Sequence, residues 1–303
     1  MTSPTENGRP PGGQSVDLRH GVIYMCLGVT LCFPVMNALA KLLMEAYPIP
    51  QVIWARFAGH LVVMILIFGP RNGWGLVRAK HPIIQLSRSA LIMGATVFYF
   101  IALHFISQPT AAVIGFTGPL VVVILSIPIL GEQVGLRRWA AVFAGFVGAV
   151  IIIRPGLGVM HWAAMLVLGT AFCYALYQVL TRKVSFADAP QTSNFYTGLV
   201  GFLVLSAVLP FDVRWPDSGA HVAAFAGLGV LGAIGHYFVV KAYEFGPASV
   251  ISPFGYFQLI GATVVGYSVF GDFPDAVTWL GAAVIVASGL YIIHREAVHQ
   301  PER

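Results

Sequence analysis

A chain of 303 residues that is 57% hydrophobic and 10% charged, with a mean hydropathy of +0.81, is excluded from the soluble globular class. The net charge of +5 and pI near 9.2 leave an anionic partner conceivable, but the basic residues lie in short connectors, so no nucleic-acid partner is expected. Apolar stretches of roughly 17 to 25 residues recur along the chain, each long enough to cross about 30 Å of hydrocarbon as a helix.

Residues 1–19 are polar and rich in Pro and Gly, without the pattern of a cleaved signal peptide, and read as a disordered tail. Ten spans follow, at 20–44, 50–68, 82–103, 109–130, 137–153, 161–181, 192–209, 222–243, 249–270 and 276–294, and a short tail occupies 296–303. The connectors YPIP, GPRNGWG, RPGLG, DVRWPDSG and GDFPD carry the expected turn residues, and none is long enough for a soluble domain. Cys26, Cys32 and Cys173 all fall within apolar spans, so no disulfide framework is expected.

The chain repeats itself. Gly28, Cys32, Phe33, Asn37 and Lys41 are answered 141 positions later by Gly169, Cys173, Tyr174, Gln178 and Arg182. At an offset of 140, Phe105, Gly115, Gly131 and Trp139 meet Phe245, Gly255, Gly271 and Trp279, with Glu132 facing Asp272. Residues 20–154 therefore form one five-span repeat and 161–295 a second. Five is odd, so the second copy is inverted across the membrane.

A cytoplasmic N-terminus puts thirteen Lys and Arg residues inside, Arg88, Arg182 and Lys241 among them, against Lys41, Arg154 and Arg214 outside. Both termini are then cytoplasmic. The fold class expected is an all-α membrane protein, ten transmembrane helices in two inverted five-helix repeats.

The motif WARF (Trp54 to Phe57) in the second span, the run LGEQVGLRRWAAVFAGFVGAVIIIRPG (Leu130 to Gly156), and its partner FGDFPDAVTWLGAAVIVASGLYII (Phe270 to Ile293) resemble the drug/metabolite transporter superfamily, in its ten-helix EamA-type branch. Within that branch the chain looks most like bacterial aromatic amino acid exporters of the YddG type. The resemblance implies a central cavity enclosed by helices of both repeats, with the fifth and tenth at the periphery, and export as the direction of transport.

Phe33, Asn37 and Lys41 are four apart, as are Tyr174, Gln178 and Arg182, so each set lies on one helix face. An amide facing lipid is costly, which turns Asn37 and Gln178 towards the bundle interior, either to line a cavity or to bond a neighbouring helix. Pro34 lacks an N–H and crowds the carbonyl of Thr30, so a bend is expected there. Lys41 and Arg182 read as helix-end cations that snorkel to opposite surfaces.

Further candidates for the cavity are Tyr99, Phe116, His236, Tyr237, Phe257 and Gln258, whose rings and polar tips suit a buried solute site. Arg56 either orients a substrate carboxylate or reaches the interface, and its place within about two turns of the span's start favours the interface. His236 is the one titratable group placed deep in the bundle.

No carboxylate falls in the middle third of a span, which disfavours carriers of cations or protons that need a buried acid. No paired histidine spacing or phosphate loop is present, so neither a metal nor a cofactor is expected.

The expected function is a secondary transporter of the bacterial inner membrane, not an enzyme and acting as a monomer. It would export neutral amphipathic metabolites, aromatic or hydrophobic amino acids first, by alternating access and facilitated diffusion. The alternatives are a carrier of nucleosides, sugars or drugs, proton-coupled or not, and a membrane enzyme acting on lipid.

Overall fold

The computed structural model describes residues 18–132, 161–209 and 213–299, together with scattered positions between 135 and 151. All regular structure among them is helical. Among the described residues, seven continuous helical stretches are long and apolar enough to cross a membrane. The helices are α1 (Leu18–Leu27), α2 (Phe33–Leu43), α3 (Ile49–Asn72), α4 (Pro82–Phe105), α5 (Gln108–Gly115), α6 (Thr117–Leu130), α7 (Ala163–Val184), α8 (Pro190–Val208), α9 (Gly219–Ala242), α10 (Ala248–Ile251), α11 (Gln258–Phe270) and α12 (Ala276–His299). The expected span at 137–153 lies mostly outside the described residues.

Three of the expected spans are interrupted, each for a local reason. Between α1 and α2 the chain takes a π turn over Gly28–Cys32, closed by the Phe33 N–H on the Gly28 carbonyl. Pro34 withholds the N–H that an α-helix would give to the Thr30 carbonyl. That carbonyl instead lies against Gly261 of α11, so tightly that a Cβ there would meet it at 2.0 Å. The bend expected at Pro34 thus takes the form of a widened turn just before it, a recognised cause of helix kinks.

The fourth span divides into α5 and α6 at Phe116, and the ninth passes through a 3₁₀ segment, Ser252–Phe257, between α10 and α11. Elsewhere helices run longer than expected: α3 continues through Pro70 and stops only at Gly73, whose φ of +48° a side chain would strain.

Both halves end their fourth and ninth spans alike. Gly131 and Gly271 each adopt φ +72°. The Glu132 N–H returns to the Ser126 carbonyl at 3.3 Å, and the Asp272 N–H to the Gly266 carbonyl at 3.2 Å. Each bond closes a seven-residue loop around a glycine in the left-handed conformation that ends the helix.

Two close crossings set the bundle. Helices α3 and α9 meet backbone to backbone, where a Cβ on Gly229 would stand 2.4 Å from the Gly59 Cα. One repeat away, α8 meets α4 where the Val200 N–H donates to the Ser89 hydroxyl at 2.9 Å. Because each crossing brings two helices together without large side chains between them, polar groups one turn away are held within bonding range across the interface.

The loops are tied at both ends. Gln51 bonds both backbone groups of Arg214, donating at 2.6 Å and accepting at 2.9 Å. Beside it the Tyr47 hydroxyl and His221 meet the Asp217 carboxylate. The bond from His221, then that from Tyr47, holds this exposed carboxyl below its ordinary range. At the other end Asp188, almost fully buried, accepts from the Lys80 N–H at 2.6 Å and from Gln85 at 2.9 Å.

Candidate functional site

A cavity of about 120 Å³ opens inside the bundle, walled by α1, α2, α3, α4, α5, α6, α7, α9 and α11, by the π turn and by the 3₁₀ segment. The two amides of the repeated stripe, Asn37 and Gln178, both line it. So do the rings of Phe33, Tyr99, Phe116 and Tyr174, and three polar candidates from other helices, Arg56, His236 and Gln258. Spacing of four on α2 and on α7 places Phe33 with Asn37, and Tyr174 with Gln178, on the faces that look inward.

Two candidates lie elsewhere. Tyr237 packs its ring 5.3 Å from that of Phe68, away from the cavity. Phe257 is 39% exposed and stacks on Phe254. Each adjoins a true lining residue, His236 or Gln258, and one step along a helix turns the side chain by about 100°.

Arg56 does not reach the interface. It is 3% exposed at the cavity wall, and its Nη2 donates to His236 Nε2 at 2.7 Å. A donor on Nε2 requires a lone pair there, so His236 is the neutral tautomer with its proton on Nδ1, which faces the Tyr177 hydroxyl at 3.5 Å. Arg56 Nε and Nη1 have no partner. The buried hydroxyls of Tyr99, Tyr174 and Ser252, three more residues of the cavity wall, have none either.

His236 is not alone at depth. His60, 1% exposed, donates from Nε2 to the Asn194 carbonyl at 2.9 Å, with its ring 6.2 Å from that of His236. It sits four residues after Arg56 on the same face, and this spacing was the sequence signal for it. Arg88, counted above among loop cations, is fully buried in the second turn of α4. It donates to Thr181 at 2.9 Å and to Gln85, and its guanidinium lies 5.0 Å from the Tyr177 ring centre. Gln85, Arg88 and Ser89 share one face at spacings of three and four, a polar stripe pointing inward.

The helix-end cations are anchored rather than free. Lys41 pairs with Asp272 at 3.2 Å and lies 4.4 Å from the centre of the Phe270 ring. Arg182 donates to the Tyr243 carbonyl at 2.7 Å, and the charge of Glu132 reaches it. Gln178 accepts from the Tyr243 hydroxyl, so one side of this amide is already engaged. Among the described residues no group of three or more His, Cys, Asp or Glu could hold a metal ion.

Apolar helices around a buried cavity of aromatic, amide and guanidinium groups define a multi-pass membrane carrier of small molecules. The chain belongs to the EamA-like transporter family, whose model matches residues 20–154 and again 161–294.

The riboflavin transporter of Vibrio cholerae serotype O1 is 31% identical over 292 residues, covering 91% of this chain and 93% of that protein. The S-adenosylmethionine uptake transporter of Rickettsia felis is 25% identical over 240 residues, covering 79% of this chain and 81% of that one. A solved crystal structure shares the fold, with a TM-score of 0.65 at 17% identity over 90% of this chain and 99% of that chain. Both named relatives are transporters rather than enzymes, and neither is named as an amino acid exporter.

Proposed function

We propose that this protein carries a small aromatic metabolite with a hydrogen-bonding edge, of the flavin type, across the bacterial inner membrane by alternating access. The observation that carries the reading is an aromatic cavity whose wall residues hold buried polar atoms without a hydrogen-bond partner: Arg56 Nε and Nη1 and the hydroxyls of Tyr99, Tyr174 and Ser252. Buried donors without partners are costly, so a solute that supplies acceptors gains what the empty site lacks. A ring system would stack between Phe33, Tyr99, Phe116 and Tyr174, with its edge towards Asn37, Gln178 and Gln258.

Ten helices in two inverted repeats with both termini cytoplasmic agree with the matched glycine closures at Gly131 and Gly271, the related crossings, and the distribution of Lys and Arg. A monomer encloses the cavity by itself. Facilitated diffusion is favoured because no carboxylate lines the cavity among the described residues and His236 is neutral. The solute gradient then sets the direction. The similarity to a riboflavin transporter favours a flavin over the aromatic amino acids that the sequence first suggested.

Purified full-length protein in liposomes, assayed with radiolabelled riboflavin, S-adenosylmethionine, phenylalanine and a nucleoside, tests this. Riboflavin is expected to enter saturably. Asn37→Ala and Gln178→Ala are each expected to lower its flux about five-fold, the value of one neutral hydrogen bond of roughly 1 kcal/mol, while thermal stability is kept. Unchanged flux in both variants would remove the amide stripe from the site. Saturable flux of phenylalanine without riboflavin would return the substrate to the amino acids.

A further inference from the structure

We infer that the cavity is a charge filter in which Arg56, held at one corner by His236, admits solutes whose aromatic body carries an acceptor or anionic group and rejects those that carry a cation. This rests on the cavity's being the transport site, and it adds a rule for what that site takes.

A full positive charge stands in the wall at 3% exposure, and no carboxylate lines the cavity among the described residues. The second buried cation, Arg88, packs on the Tyr177 ring, and the nearby Asp188 carboxylate offsets its charge, so Arg56 is the cation that sets the sign at the cavity. Asp188 is absent from the cavity wall, and its oxygens are taken by Gln85 and the Lys80 N–H. In a low-dielectric site the Arg56 charge acts on a solute with little screening.

His236 contributes position and no charge. Its Nε2 engages Nη2 of Arg56, while Nε and Nη1 of the same buried guanidinium have no hydrogen-bond partner within the protein. A carbonyl, imide or carboxylate supplies the acceptors these donors lack, whereas an ammonium or sulfonium brings a like charge into a desolvated space. Aromatic rings oppose the rule, since their faces attract cations. A quadrupole decays faster with distance than a full charge, so the guanidinium decides.

Three ligands with one ring and three charges separate the effects: indole-3-acetate, indole-3-acetamide and tryptamine, at pH 7. Binding is measured by equilibrium dialysis of the full chain in nonionic detergent, against empty micelles. The expected order is acetate, then acetamide, then tryptamine, with at least a ten-fold preference for acetate over tryptamine. Arg56→Gln is expected to abolish or invert the order and Arg56→Lys to keep it. His236→Gln, which retains an acceptor, is expected to preserve the order better than His236→Phe.

Tryptamine binding as tightly as indole-3-acetate, or no binding by any of the three, overturns the inference. If the order holds while riboflavin flux is absent, the flavin reading falls and the filter stands. If riboflavin flux is present and the order fails, the reverse follows.

Discussion

Gly229→Ala is expected to reduce the folded protein sharply, although it adds a single methyl group. The new Cβ would stand 2.4 Å from the Gly59 Cα and 2.6 Å from its carbonyl carbon, whereas carbon atoms at rest lie about 3.5 to 4.0 Å apart. Both contacts are backbone, so no rotamer relieves them and the two helices must part.

Overpacking costs typically 1–3 kcal/mol and occasionally more, and a backbone clash at a helix crossing belongs at the upper end. The separation would also stretch the 2.7 Å bond from Arg56 to His236, which joins the same two helices. Gly227→Ala is the internal control, because its Cβ would meet only the tip of Leu39, at 2.8 Å, which can swing aside. Size-exclusion profile and thermal unfolding in detergent read both variants. A Gly229→Ala protein that melts within about 2 °C of the parent would mean the crossing is looser than described.

Asp188→Ala is expected to be the most damaging change away from the cavity. Asp188 is 5% exposed and accepts from the Lys80 N–H and from Gln85, which in turn accepts from fully buried Arg88. Deleting the carboxylate leaves two donors unsatisfied and removes the anion balancing a buried guanidinium. Breaking a buried ionic arrangement from one side costs about 3–5 kcal/mol.

Asp188→Asn keeps an acceptor for the Lys80 N–H and loses the charge, so it should fall between the parent and the alanine variant. Chemical unfolding in mild detergent gives the order. Wild-type stability for Asp188→Ala would show that Arg88 is balanced by groups other than Asp188.

The sequence made the scaffold of the site visible where spacing alone decides. Phe33 with Asn37, and Tyr174 with Gln178, follow from a spacing of four on helices that must hide their amides from lipid. Tyr237 and Phe257 fall outside the cavity wall, because polarity and ring character do not say on which side of a helix a residue stands when its neighbour also qualifies.

Arg56 illustrates a different limit. A long cation near a helix start has two outlets, and what turns it inward is His236, 180 residues away in the chain. Arg88 was hidden for the same reason, since Thr181 and the Gln85–Asp188 relay exist only once α4, α7 and the loop before α8 are assembled. The proposal of a flavin rests on similarity to a named riboflavin transporter and not on any residue pattern in the chain.

On the proposed transport cycle, the guanidinium in the cavity wall would also make the carrier a voltmeter. In an alternating-access cycle, Arg56 shares the electrical potential of whichever side the cavity faces. One elementary charge moved through 100 mV is worth about 2.3 kcal/mol. A membrane negative inside therefore draws the unloaded protein towards its inward-facing state, and a bound anion cancels the bias. An imposed potassium diffusion potential should then shift the accessibility of the empty cavity and have little effect on the anion-loaded one.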